Sequence, residues 1–265
     1  PRSTLFPYTT LFRSRTGSYI NYGKLRASYG IVGNAPPAYA SGITYTQTTL
    51  PTANGPVASL STQINAGNNA IRPENKYEME FGLEAKLFKC RLGIDVTYYN
   101  SRTVDQIIQL TVPVSTGAVS KLVNAGELQS SGIEMALNVV AVKKKNFKWI
   151  ARMNMALGET TVRQLDGGVK QIVYFEGEQN AIRIVAEEGK AVGNIYVHPK
   201  LTDADGNYVV GANGLYVIDN TKYIKVGNVM PKITGGLANT LAYKNIAFTF
   251  MVDYRFGGQL VSPAL

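Results

Sequence analysis

Between Lys76 and Leu87 the chain alternates without a break. Tyr77, Met79, Phe81, Leu83, Ala85 and Leu87 fall on one side of an extended backbone, and Lys76, Glu78, Glu80, Gly82, Glu84 and Lys86 on the other. A helix turns about 100° per residue and would mix the two sets around its cylinder, whereas a strand of period two keeps them apart. The run is about as long as a tilted membrane-crossing strand and clearly longer than the ~5–6 residues usual in a soluble sheet.

The pattern recurs. After a break at Lys89-Cys90, Leu92, Ile94, Val96 and Tyr98 oppose Gly93, Asp95, Thr97 and Tyr99, which makes a hairpin. Ile133, Met135, Leu137 and Val139 alternate with Gly132, Glu134, Ala136 and Asn138. A lysine-rich turn, Lys143 to Asn146, then leads into Trp149, Ala151, Met153, Met155 and Leu157, opposed by Lys148, Arg152 and Asn154. A strand from Lys232 to Tyr243 turns at Lys244-Asn245 into Ile246, Phe248, Phe250, Val252, Tyr254 and Phe256, opposed by Thr249, Asp253, Arg255 and Gly257. An earlier strand is expected over Lys24 to Val32.

Two features separate a membrane barrel from a soluble sandwich. Full charges sit in mid-strand on the polar faces: Glu78, Glu80, Glu84, Asp95, Glu134, Arg152 and Asp253. The connections also alternate, with short turns at 89–90, 143–146 and 244–245 and long links from about Asn34 to Asn75 and from about Gly158 to Pro231. Short periplasmic turns and long extracellular loops are the habit of outer-membrane barrels. Lipid cannot hydrogen-bond a peptide group, so only a closed sheet is viable there, apolar toward lipid and charged toward a wet lumen. The fold class is therefore all-β, an antiparallel partial transmembrane β-barrel. About seven strands cannot close the even-numbered barrel of a bacterial outer-membrane protein, so the chain is expected to be a fragment. The rival reading is a soluble secreted β-sandwich that binds carbohydrate.

Composition narrows the function. No stretch approaches the ~20 apolar residues of a membrane helix, and no signal peptide is visible. The formal charge of +9 comes from basic residues that, apart from Lys143, Lys144 and Lys145, look scattered. Nucleic-acid binders concentrate them on one face, so no nucleic-acid partner is expected, and compensating acids are placed elsewhere in a longer protein. The single cysteine, Cys90, excludes internal disulfides and multi-cysteine zinc sites, and His198 is the lone histidine. Residues 1–15 have no clear period and repeat TLF, and they are set aside as a non-native, adapter-like leader, with the barrel over 16–265.

The loops hold the remaining candidates. Asp203, Asp205 and Asn207 in TDADGNY space like the start of a calcium loop, but Gly206 comes one place early and Gly214 stands where a glutamate is needed, so a polar hairpin turn is the better reading. His198 precedes Pro199 with no nucleophile motif beside it. Nothing sets Asp203 and Asp205 across a cleft at the ~5–9 Å of glycosidase chemistry. No catalytic residue, metal ligand or cofactor is assigned, and the chain is read as no enzyme. Tyr39, Tyr45, Tyr174, Phe175 and Tyr196 could stack on sugar rings or on a partner, although packing within their own loops is favoured for each, and none is assigned as a binding residue.

An ordered set of segments resembles the SusC/RagA family of TonB-linked outer-membrane transporters: LRASYGIVGN (Leu25 to Asn34), IRPENKYEMEFGLEAKLF (Ile71 to Phe88), RLGIDVTYYNSRTVDQI (Arg91 to Ile107), VNAGELQSSGIEMAL (Val123 to Leu137), NFKWIARMNMA (Asn146 to Ala156) and the stretch from Lys222 to Gly258. The resemblance implies a barrel of about 22 strands in the outer membrane of Bacteroidota-like bacteria. It implies import of glycans or peptides, a SusD-like surface lipoprotein as lid, and the TonB complex as power source through a plug region this chain lacks. On either route Met79, Phe81, Leu83, Ile94, Val96, Met135, Leu137, Phe248 and Phe250 should face lipid and stay unusually exposed. Glu80, Glu84, Asp95, Glu134 and Asp253 should face the lumen.

Overall fold

A computed structural model describes residues 6–10, 19–42, 45–53, 55–62, 65–112, 114–124, 126–165, 168–177 and 181–260. The first strands are β1 (Phe6–Thr10), β2 (Ile20–Asn34), β3 (Tyr45–Thr52), β4 (Gly55–Thr62), β5 (Asn65–Ala66), β6 (Glu74–Leu87) and β7 (Leu92–Val104). Then come β8 (Ile107–Thr111), β9 (Ser120–Asn124), β10 (Glu127–Lys143) and β11 (Phe147–Gln164). The chain continues through β12 (Gln171–Glu176), β13 (Ile182–Glu187), β14 (Asn194–Val197), β15 (Ile224–Asn228), β16 (Pro231–Tyr243) and β17 (Ile246–Gly257).

The main sheet runs β1-β2-β6-β7-β10-β11-β16-β17 and is open. Every pair in it is antiparallel. Seven of its strands are 12 to 18 residues long, which matches the expected seven. The eighth, β1, lies in the segment set aside as a leader and pairs with β2 from Tyr29 to Leu25. An exposed sheet edge accepts any extended chain, so this pairing does not bear on where the segment comes from.

Register turns the alternation within strands into two continuous faces. On one face, Leu25, Leu83, Val96, Met135 and Met155 stand opposite one another across β2, β6, β7, β10 and β11. The row below it holds Ala85, Ile94, Leu137, Met153, Leu237 and Val252. The row above holds Ala27, Phe81, Tyr98, Ile133, Leu157, Ile233 and Phe256. From Phe147 to Leu157 this face covers about 34 Å of strand at ~3.4 Å per residue, or about 25 Å of height at a ~45° tilt, the thickness of a barrel's lipid belt.

Exposure separates the two faces in an inverted way. On β6 the apolar residues Met79, Phe81 and Leu83 are 40%, 49% and 45% exposed, while Glu78, Glu80 and Glu84 are half-buried. Charge on the more sheltered side is what the concave face of a barrel wall produces. Phe248 and Phe250 are exposed as expected, and Ile94, Val96, Met135 and Leu137 are half-buried. None of this set enters a compact core, which removes the sandwich alternative.

Several expected boundaries shift. β2 runs Ile20–Asn34, and β11 runs on to Gln164, past the expected loop start near Gly158. A third long excursion, 105–126, was not anticipated; it carries β8, a short helical turn at Val114–Thr116, and β9. Three long excursions thus leave one end of the wall and three tight turns close the other.

The buried apolar cluster lies where the end of the wall meets the excursions. Val162, Leu165, Ile172 and Ala186 form it, with Ile108, Leu110, Leu128, Val169 and Val192 packed around. It packs the end of β11 against β12 and β13 of a four-stranded sheet β12-β13-β14-β15, in which Ile195 is fully buried and Val185 nearly so. Length and a Gly/Asn-rich composition hid this sheet, because its strands are only 4 to 6 residues and too short to show a period.

Candidate functional site

The charged face is hollow at its centre. One row across it reads Arg26, Gly82, Thr97, Glu134, Ala156, Thr234 and Arg255. The next reads Lys24, Glu84, Asp95, Ala136, Asn154, Gly236 and Asp253. Small residues on β10, β11 and β16 leave a concavity of about 440 Å³, lined among others by Arg26, Asp95, Thr97, Glu134, Asn154 and Thr234. The guanidinium of Arg26 crosses one strand, β6, to reach Asp95 on β7, donating from Nη1 to Oδ2 at 3.0 Å, and from Nη2 to Thr97 Oγ1 at 3.1 Å. It passes over Gly82, where a Cβ would meet Arg26 Nε at 2.6 Å. Glu134 is exposed and makes no ion pair among the described residues. A wet wall of forked hydrogen bonds and a free carboxylate can guide or hold polar solutes.

At the extracellular end the excursions are laced together. Arg72 pairs with Asp105 at 2.8 Å, and Asn124 Nδ2 donates to the carbonyls of Arg72 and Asp105. β5 pairs in parallel with β9. Of the five loop aromatics, Tyr39, Tyr45, Tyr174 and Phe175 are 80%, 66%, 49% and 53% exposed; Tyr174 and Phe175 are neighbours on β12, while Tyr39 and Tyr45 lie in a different excursion. Tyr196 alone is half-buried, its hydroxyl donating to Glu187 Oε2. Burial would raise the Glu187 carboxyl, but hydrogen bonds from Lys190 and Tyr196 outweigh it and hold the pKa below its usual range. His198 stacks on Tyr223 at 4.0 Å, with Nδ1 at 2.8 Å from the Lys222 carbonyl.

TDADGNY is a turn, held by the bridge from Thr202 to Tyr208. Asp203 Oδ1 accepts the backbone N–H groups of Asp205 and Asn207. The turn is the first of three eight-residue units, Pro199–Gly206, Asn207–Gly214 and Leu215–Lys222. They close on one another in a cycle: Val209 N–H donates to Leu201 O, Val217 N–H to Val209 O, and Leu201 N–H to Val217 O. Gly206 and Gly214 take φ of +86° and +76° at equivalent places. Equivalent positions also bring Lys200 over the rings of Tyr208 and Tyr216, at 5.1 and 3.9 Å. Aligning the chain with itself at a spacing of eight would have revealed this knob; the reading of TDADGNY as a polar hairpin turn holds for its first unit but not for the repeat. No cluster of three metal-ligating side chains occurs among the described residues.

The knob should loosen in acid. The Thr221 hydroxyl and N–H, with Lys222, hold the Asp219 carboxyl at about 2, and backbone donors lower Asp203 as well. Depressed carboxyl pKa values supply stability above the unfolded value near 4 that is lost as pH falls toward 2. Pepsin cleavage within 199–222 should therefore rise between pH 4 and pH 2 beyond the change at a reference site. The double variant Asp203→Asn, Asp219→Asn should show no such step, and an unchanged step there would refute the assignment.

A sheet with a lipid-height apolar exterior, a sheltered charged interior, tight turns at one end and folded loops at the other is a wall segment of an outer-membrane β-barrel. Comparison with known proteins makes this specific. Residues 15–261 match the family model described as TonB dependent receptor-like, beta-barrel, and the chain belongs to that family. It is 31% identical over 257 residues to TonB-dependent receptor P26 of Formosa agariphila, covering 89% of this chain and 26% of that protein. TonB-dependent receptor P3 of the same organism is 23% identical over 265 residues. The chain thus spans about a quarter of the length of these relatives. Among solved structures, the RagAB peptide transporter superposes with a TM-score of 0.72 at 22% identity, covering 92% of this chain and 27% of that one. The closed-closed state of the RagAB peptide importer gives 0.73 at 21% identity. The fold is that of this barrel.

Proposed function

We propose that this chain forms part of the wall of a TonB-dependent importer that carries glycans or peptides across the outer membrane, under a SusD-like surface lipoprotein. The observation that carries the reading is the pairing of a hollow, hydrogen-bonded luminal wall with an extracellular crown that has its own core. A pore wall alone needs no such crown, whereas a receptor that must hold a ligand or a lid above the barrel does. The superposition on a peptide importer supports the transport class, and TonB coupling is read into the portion of the protein outside this chain. Residues 1–15 are read as foreign to the barrel, which accords with a family match beginning at residue 15.

The test uses the full-length receptor in its host. Deleting it should abolish uptake of one class of oligosaccharide or oligopeptide, and a tagged copy should co-purify with a surface lipoprotein. Unchanged uptake of both classes while the receptor is expressed would sink the transport reading; a tagged receptor that emerges alone would remove the lid.

A further inference from the structure

Seven of the 27 basic residues, drawn from three distant turns, are brought by the fold onto one rim. The three tight turns, Phe88–Arg91, Lys144–Asn146 and Lys244–Asn245, are bonded to their neighbours. Phe88 N–H donates to Tyr19 O at 2.7 Å, Val140 N–H to Arg91 O at 2.7 Å, and Lys244 N–H to Asn146 O at 2.8 Å. Cys90 N–H donates to Asn21 Oδ1 at 3.0 Å, and the Arg91 guanidinium donates to the carbonyls of Val140 and Ala141 at 3.2 and 3.0 Å.

Along this rim stand Lys89, Arg91, Lys143, Lys144, Lys145, Lys148 and Lys244, all exposed. None is within ion-pair distance of a carboxylate among the described residues. The sequence has no Asp or Glu in 85–94, 135–158 or 220–252, so most of the +9 charge resides here. Lys143 and Lys148 are direct cross-strand partners. Like charges placed so repel; this pair stands on the luminal face with Arg152 and Asn154, behind the lipid side of the rim.

On the lipid-facing side of the same rim lie Trp149, Tyr243 and Phe248, 37%, 54% and 61% exposed. The Lys244 ammonium sits 5.5 Å from the Tyr243 ring centre. Aromatic side chains at the end of a lipid belt mark the headgroup level, so the cations stand at the depth of the lipid phosphates, and cations there attract anionic lipid. Tight turns face the periplasm in barrels of this kind.

We propose that this rim binds the phosphate groups of anionic phospholipids in the inner leaflet of the outer membrane. The proposal rests on the barrel-wall reading above. The test places the full-length receptor in nanodiscs of phosphatidylcholine mixed with phosphatidylglycerol, releases it, and counts retained lipids by native mass spectrometry. The receptor should retain phosphatidylglycerol preferentially. The variant Lys89→Gln, Lys144→Gln, Lys145→Gln, Lys244→Gln should lose that preference at least ~10-fold, and the same four changes to Arg should keep it. Should the glutamine variant fail to fold, Lys244→Gln alone carries the test with a loss of about fivefold.

Equal retention by folded glutamine variants would overturn the proposal. Displacement of the lipid by millimolar inorganic phosphate would also overturn it, reducing the rim to a site for free anions. A wild-type receptor that enters no bilayer at all would instead refute the barrel reading on which the proposal stands.

Discussion

Replacing Leu137 by arginine is expected to destabilise the complete barrel by about 2–4 kcal/mol, the cost of a guanidinium near the bilayer midplane. Leu137 stands between Ile94 and Met153 in the middle of the apolar belt. Its neighbour in sequence, Ala136, stands between Asp95 and Asn154 on the other face and lines the luminal concavity. Ala136→Arg should cost much less, because water solvates the charge and the Asp95 carboxylate lies across the strand. The two variants are one residue apart and differ only in the side of the sheet they occupy. Denaturant titration of both, refolded into lipid vesicles, makes the comparison; equal loss would mean that the two faces share one environment.

Ile195→Ala should cost about 2–5 kcal/mol, but in a different part of the molecule. Ile195 is fully buried on β14 in the extracellular sheet, so truncation opens a cavity within the crown and leaves the wall untouched. Hydrogen exchange should quicken across β12 to β15 and stay unchanged in β6, β7 and β10. Faster exchange in the wall as well would mean that crown and wall unfold as one unit. A crown able to open by itself would matter to a receptor whose ligand and lid both meet it from outside.

The wall was legible in the sequence because a strand that separates lipid from water must alternate over its whole length. Tyr77 to Leu87 and Ile246 to Phe256 do so for ten residues or more, about twice the length usual in a soluble sheet. The crown was not legible for the opposite reason. Val162 at the end of β11, Leu165 just after it, Ile172 on β12 and Ala186 on β13 form a core only once folded. The eight-residue repeat of the knob was legible in principle and was missed, since attention fell on the acidic residues of one unit and not on the spacing of Leu201, Val209 and Val217.

What the sequence determined by itself is therefore local: which residues alternate, where the tight turns fall, and that the chain builds a membrane wall. Strand period is a property of neighbouring residues and survives without any knowledge of partners. Tertiary structure decided everything that depends on register. Pairing β2 with β6 and β6 with β7 carried Arg26 to Asp95 across 69 residues of sequence, left Glu134 unpaired, and set Lys143 against Lys148. It also drew cations from three distant turns onto one rim. A shift of one residue in any pair would send each of these side chains to the opposite face, and only the folded sheet, through its turns and the need to keep one face apolar, selects the register.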